Sequence, residues 1–168
     1  VYPNPDALEI IKNKNKQKAF YRSIDVPIPE FSAFNDKNEA LVVFEQWKNR
    51  LPCIYKSAEM GYDGKGVRTI HTIDDVITLD DVPGAFEQRI EIEIEIAVMI
   101  ARSPKGDHVL YPPVAMYFDP ANHILSEVHY PASIRKSVEE EMNRIAIKVS
   151  EALDICGLCA FEFFVTTD

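Results

Sequence analysis

The 168-residue chain predicts an α+β fold, with antiparallel strands packed against amphipathic helices. Three stretches carry that expectation. Ile90 to Ile100 alternates isoleucine with glutamate, the period of a half-buried strand. Turns follow it at Pro104-Lys105-Gly106-Asp107 and Asp119-Pro120-Ala121-Asn122, at the spacing of an antiparallel meander. Ser137 to Ile155 repeats Val138, Met142, Ile145, Ala146, Val149, Ala152 and Leu153 at three- and four-residue steps, the stripe of a helix lying on a core.

Taken in order, Asn4-Pro5-Asp6 starts a short helix, and a second helix is predicted from Asn15 to Ser23. Val26-Pro27-Ile28-Pro29 is extended, because each proline disfavours a helical residue before it. Asp36 and Glu39 have capping-box spacing and open a helix to about Arg50, with Ala40, Val43, Phe44 and Trp47 on one face. Cys53-Ile54-Tyr55 and Val67-Arg68-Thr69-Ile70 are strand-like. Asp74 to Leu79 is a short helix at most, and Ala85 to Gln88 a strand. After the isoleucine strand, His108 to Phe118 is a strand interrupted at Pro112-Pro113, and Ile124 to Tyr130 another. Ser137 and Glu140 offer a capping box for the long helix, and Gly157 its stop. Leu158 to Val165 is the last strand.

Composition bounds the function. A net charge of −9 argues against a nucleic-acid surface, and the lysines at 12, 14, 16 and 18 read as a solvated helix face. No apolar run approaches the roughly 18 residues of a membrane span. Three cysteines suit a reducing compartment rather than a disulfide framework. Cys156-Gly157-Leu158-Cys159 lacks the second pair of a metal site, and His71, His108, His123 and His129 share no ligand spacing. With no charged leader and apolar stretch at the start, a cytoplasmic location is expected. A first residue of valine suggests an excised piece.

Chemistry concentrates between the two strands of 53–70. Gly61-Tyr62-Asp63-Gly64-Lys65-Gly66 lets the backbone approach a ligand, and its amides can converge on anionic oxygens. Lys65 lies in the loop and Lys56 before it. A Walker loop would run into a helix; here a strand follows. A strand–loop–strand phosphate flap and a plain hairpin with a long glycine-rich turn both fit. Glu91 and Glu93 read as solvated, whereas Glu95 borders an apolar run and reads as partly enclosed. Glu162, between Phe161 and Phe163, either is buried and needs a cation or lies on an edge strand facing water.

An ordered set of residues resembles the ATP-grasp family: Lys56, GYDGKG at 61–66, EQRI at 87–90, Glu95, YP at 111–112, IL at 124–125, PA at 131–132 and AFEFF at 160–164. With QK at 17–18 and VPIPEF at 26–31, it is similar to the branch that carboxylates aminoimidazole ribonucleotide in purine biosynthesis. The resemblance implies an ATP-grasp fold of two subdomains with antiparallel sheets, truncated at both ends. Residues 1–14 would be a linker, 15–86 the small lid subdomain and 87–168 part of the large one. It implies ATP and Mg²⁺ as cofactors, with bicarbonate and aminoimidazole ribonucleotide as substrates, and leaves a homodimer open.

By the same resemblance, Lys16 and Lys56 would meet the ATP phosphates. Gly61, Tyr62, Asp63, Gly64, Lys65, Gly66 and Val67 would form the flap. Glu87, Gln88, Arg89 and Ile90 would read the adenine, Glu95 would take the ribose hydroxyls and Glu162 would bind Mg²⁺. Val114-Ala115-Met116 stand where the family usually carries a polar residue, so Ala115 marks a departure. These residues alone are expected not to turn over. Rival readings are another ATP-grasp carboxylase or transformylase, and a non-catalytic nucleotide-binding or interaction module.

Overall fold

A computed structural model describes residues 3–59, 66–121 and 124–167. The chain divides into two compact units, Glu9–Ile90 and Glu91–Asp168, the second including Val1–Leu8. Glu87 to Ile90, expected to open the large part, therefore group with the first unit.

In the first unit a four-stranded antiparallel sheet is ordered β1-β4-β2-β3, from β1 (Phe31–Phe34), β2 (Cys53–Ser57), β3 (Val67–Ile70) and β4 (Gly84–Gln88). Period-2 alternation divides its side chains between two faces. One face, with Phe34, Cys53, Tyr55, Ile70 and Phe86, packs on α3 (Lys37–Trp47) and α4 (Ile73–Ile77), which supply Ala40, Phe44, Trp47 and Val76. Asp36 accepts from the Glu39 amide, as the cap spacing requires. The Glu39 carboxylate reaches Asn35 N instead of Asp36, so the box is half formed. β1 was not predicted as a strand.

The other face carries Phe31, Ile54, Lys56, Ala85 and Glu87, and α2 (Lys14–Ser23) packs beside β4 there. Asn13 caps α2 by accepting from Lys16 N, and it donates to Glu59 Oε1 at 3.0 Å. Lys14 N donates to Ala58 O, so the start of α2 is tied to the end of β2. Gly84 has no Cβ because none fits. One built there would lie 2.7 Å from Tyr55 Cε2 and 2.9 Å from the Lys56 carbonyl.

The second unit is built around β5 (Ile92–Arg102). On one side it pairs with β6 (His108–Leu110) and β7 (Val114–Phe118), and β7 pairs in turn with β8 (Leu125–His129). β6 and β7 act as one strand broken at Pro112-Pro113, as the two prolines predict. On its other side β5 pairs with β9 (Gly157–Thr166) along nearly its whole length. α5 (Lys136–Ala152) covers one face, packing Met142 and Ala146 on Ile96, Val98, Ala115, Phe161 and Phe163.

Two terminal signals of α5 are corrected. The helix begins at Lys136 with Arg135 as its cap and no side-chain cap bond, which places Ser137 inside the first turn and leaves no capping box. At the other end Asp154 takes the left-handed conformation at φ 46°, before Gly157 at φ 101° starts β9. Arg102 holds that turn by donating to Asp154 Oδ1 and Ile155 O.

Candidate functional site

Two groups of functional side chains stand out, one in each unit. The first is cationic. Ala85 pairs with Lys56 and Ile54 with Glu87, so Lys56 and Glu87 are diagonal neighbours on one face of the sheet. Glu87 is 2% exposed. One carboxylate oxygen lies 3.1 Å from Lys56 Nζ and the other 3.1 Å from Lys18 Nζ. The Lys18 contact is a charge pairing rather than an aligned hydrogen bond, since geometry leaves Oε1 without a bonded donor.

Lys18 stands on α2, and Lys14, four residues earlier, shares its face. Burial lowers the pKa of Lys14, helped by the positive charges of Lys56 and Lys18 and opposed by Glu87. Burial also lowers Lys18, opposed by the Glu87 charge and helped by Lys56. Two ammonium groups thus flank one carboxylate, and the charge of Lys14, on the same helix face as Lys18, also acts on this group, so that positive charge is in local excess.

Lys16 does not join them. Two positions from Lys14 on a helix is the opposite face. There its ammonium is 3.5 Å from Glu9 and its side chain 56% exposed. Sequence reading missed Lys14 and Lys18. The signal was their four-residue spacing, which becomes legible once the helix is known to start at Lys14 rather than Asn15.

Gly61, Tyr62, Asp63, Gly64 and Lys65 lie outside the described residues. Gly66 takes φ 79°, a conformation that favours glycine, and its carbonyl accepts from Ser57 N, closing the β2–β3 hairpin. Val67 opens β3 and is exposed. At the end of β4 the Gln88 amide donates to Glu30 O, and Arg89 and Ile90 continue outside any strand.

The second group is acidic. Glu95 pairs with Phe164 and Ala97 with Glu162. The two carboxylates therefore share the face of the β5–β9 sheet away from α5, as diagonal neighbours about 7–8 Å apart at the backbone. Glu95 is half-buried, as expected. Glu162 is exposed, because β9 has β5 as its one partner strand among the described residues. The burial that would have demanded a cation is absent. Ala115 pairs with Ile96 and is buried in the core under α5, while Met116 shares the Glu95 face.

The exposed Glu162 carboxylate fits Mg²⁺, which takes one or two protein carboxylates and completes its octahedron with phosphate and water oxygens. Among the described residues no group of three metal-ligating side chains gathers. No helix among them is long and apolar enough to cross a membrane.

Residues 19–168 match the ATP-grasp domain family. N5-carboxyaminoimidazole ribonucleotide synthase of Aquifex aeolicus is 31% identical over 99% of this chain and 44% of its own length. The solved carboxyaminoimidazole ribonucleotide synthase of Aspergillus clavatus complexed with ATP is 28% identical, with a TM-score of 0.87 over 99% of this chain and 44% of that one. The enzyme of the same organism in complex with ADP and aminoimidazole ribonucleotide is 26% identical, with a TM-score of 0.82 over 99% of this chain and 44% of that one. This chain thus spans less than half the length of these relatives. The matched segment takes in both sheets and both groups of charged side chains except Lys14 and Lys18, and on that match the chain belongs to the ATP-grasp domain family.

Proposed function

We propose that these residues form the nucleotide-holding part of an ATP-dependent ligase that carboxylates the amine of aminoimidazole ribonucleotide. The observation that carries the reading is the buried Glu87 carboxylate held between Lys18 and Lys56, with Lys14 on the same helix face as Lys18, beside the stem of a glycine-rich hairpin. ATP and aminoimidazole ribonucleotide, which the relatives bind, together with the bicarbonate that the sequence resemblance implies, then supply the reaction. A bicarbonate oxygen attacks the γ-phosphorus, ADP departs, and the resulting carboxyphosphate passes its carboxyl group to the amine and releases phosphate.

In this reading Lys56 and Lys14 meet the phosphates, with Lys14 taking the part that sequence assigned to Lys16. Residues 61–67 cover the triphosphate. The backbone after Glu87 reads the adenine, Glu95 holds the ribose hydroxyls and Glu162 holds Mg²⁺. The metal, when bound, neutralises charge on the phosphoryl oxygens. The chain's own part is positioning: fixed ammonium groups and amides hold the phosphates in line with their acceptor.

In the complete protein, ATP hydrolysis is expected to need both bicarbonate and aminoimidazole ribonucleotide. Glu162→Gln should raise the Mg²⁺ concentration for half-maximal rate by about tenfold, the scale of losing one charged ligand interaction. Hydrolysis indifferent to both substrates, or an unchanged Mg²⁺ requirement, would contradict the assignment.

A further inference from the structure

We propose that Lys18 is a positioning residue: it neutralises the buried Glu87 carboxylate so that Lys56 can leave Glu87 for a phosphate oxygen. The inference rests on the nucleotide-binding reading above and assigns a division of labour within that site.

The two lysines divide one carboxylate, an oxygen each at 3.1 Å. They are not equivalent in surroundings. The Lys18 side chain is 13% exposed and lies along the Phe31 ring, its Nζ 5.7 Å from the ring centre. Phe31 pairs with Glu87 across β1 and β4, so the ring lies on the side of Glu87 that Lys18 approaches. Lys56 is the more open at 22%, and it stands one residue from Ser57, which binds Gly66 at the hairpin stem. Lys56 is therefore placed to exchange partners and Lys18 to stay.

The energetics favour the same division. A carboxylate as enclosed as Glu87 is strongly disfavoured when it loses its last cation. With Lys18 in place, Lys56 can move to a phosphate and leave Glu87 still paired. Without Lys18, the same movement abandons the carboxylate, so Lys56 stays. The charge of Lys14 also acts on this group, but in the reading above Lys14 is committed to the phosphates and does not replace Lys18.

The test uses Lys18→Met, Lys18→Arg, Glu87→Gln and the double variant Lys18→Met/Glu87→Gln in the full chain. Two readouts apply: the rate of amine labelling at Lys56 without nucleotide, followed by peptide mass spectrometry, and Mg·ATP affinity. Lys18→Met is expected to slow labelling and to weaken Mg·ATP about tenfold, the scale of one charge-assisted hydrogen bond. Lys18→Arg should stay near wild type.

Adding Glu87→Gln to Lys18→Met should reverse both effects, because a neutral amide holds Lys56 less tightly than the Glu87 carboxylate does. The double variant should match Glu87→Gln alone, a comparison that stands even if Lys18→Met does not fold. A double variant weaker than Glu87→Gln alone would make Lys18 a direct phosphate ligand and overturn the proposal. Unchanged Lys56 labelling in Lys18→Met would overturn it as well. Labelling needs no nucleotide, so a wild-type protein that ignores ATP would refute the nucleotide reading while the labelling still decides the pairing.

Discussion

Glu87 is the residue on which the first unit's chemistry turns. It was legible in sequence only as part of EQRI, a string with no burial signal of its own. Its energetic role appears when β4 places it on the α2 face beside Lys56. Glu87→Gln would leave two largely enclosed ammonium groups against a neutral amide and should lower stability by about 2–4 kcal/mol. Urea denaturation would register this as a lower midpoint at unchanged slope, and an unchanged midpoint would refute it.

The lysines also predict a pH dependence. Lys14 and Lys18 have folded pKa values below the ordinary 10.5, chiefly through burial. The unfolded chain then binds more protons than the folded one between the lowered values and 10.5. Across that window stability gains from these two groups as pH rises, while their charge, and with it phosphate affinity, is lost. Mg·ATP affinity should therefore fall earlier on the alkaline side than an ordinary lysine allows, and Lys14→Arg should move the fall to higher pH. Coincident profiles would contradict this.

At the scale of elements, what could be read in advance was what local pattern determines. The isoleucine strand, the proline break between β6 and β7, the hairpin limbs and α5 all follow from period and turn residues. β1 was missed because four residues, Phe-Ser-Ala-Phe, carry too short an alternation; β4 creates the strand by pairing with it. Glu162 was left open between burial and exposure because alternation assigns a face but not a covering layer. The α5 cap was misplaced by two residues, which is enough to move Ser137 from cap to first turn. Close approach of strands is equally invisible in sequence. Gly84→Ala would push a methyl group into Tyr55 and the Lys56 carbonyl, and should cost about 1–3 kcal/mol by separating β4 from β2. Thermal unfolding of the variant at the wild-type transition temperature would contradict this.

For the whole molecule, family membership follows from the order of motifs along the chain, and the α+β, antiparallel architecture follows with it. Side-chain pairing did not follow, since it depends on which helix face meets which sheet face. A chain of net charge −9 sets Lys18 and Lys56 on a single buried carboxylate, with Lys14 on the same helix face as Lys18, against its overall polarity. That concentration is what a polyphosphate would seek. Calorimetric titration of Mg·ATP into the wild-type protein and into Lys56→Met probes it most directly. One-site saturable binding, weakened by about tenfold or more in the variant, is the expected result. No binding by the wild type, or equal affinity in the two proteins, would contradict it.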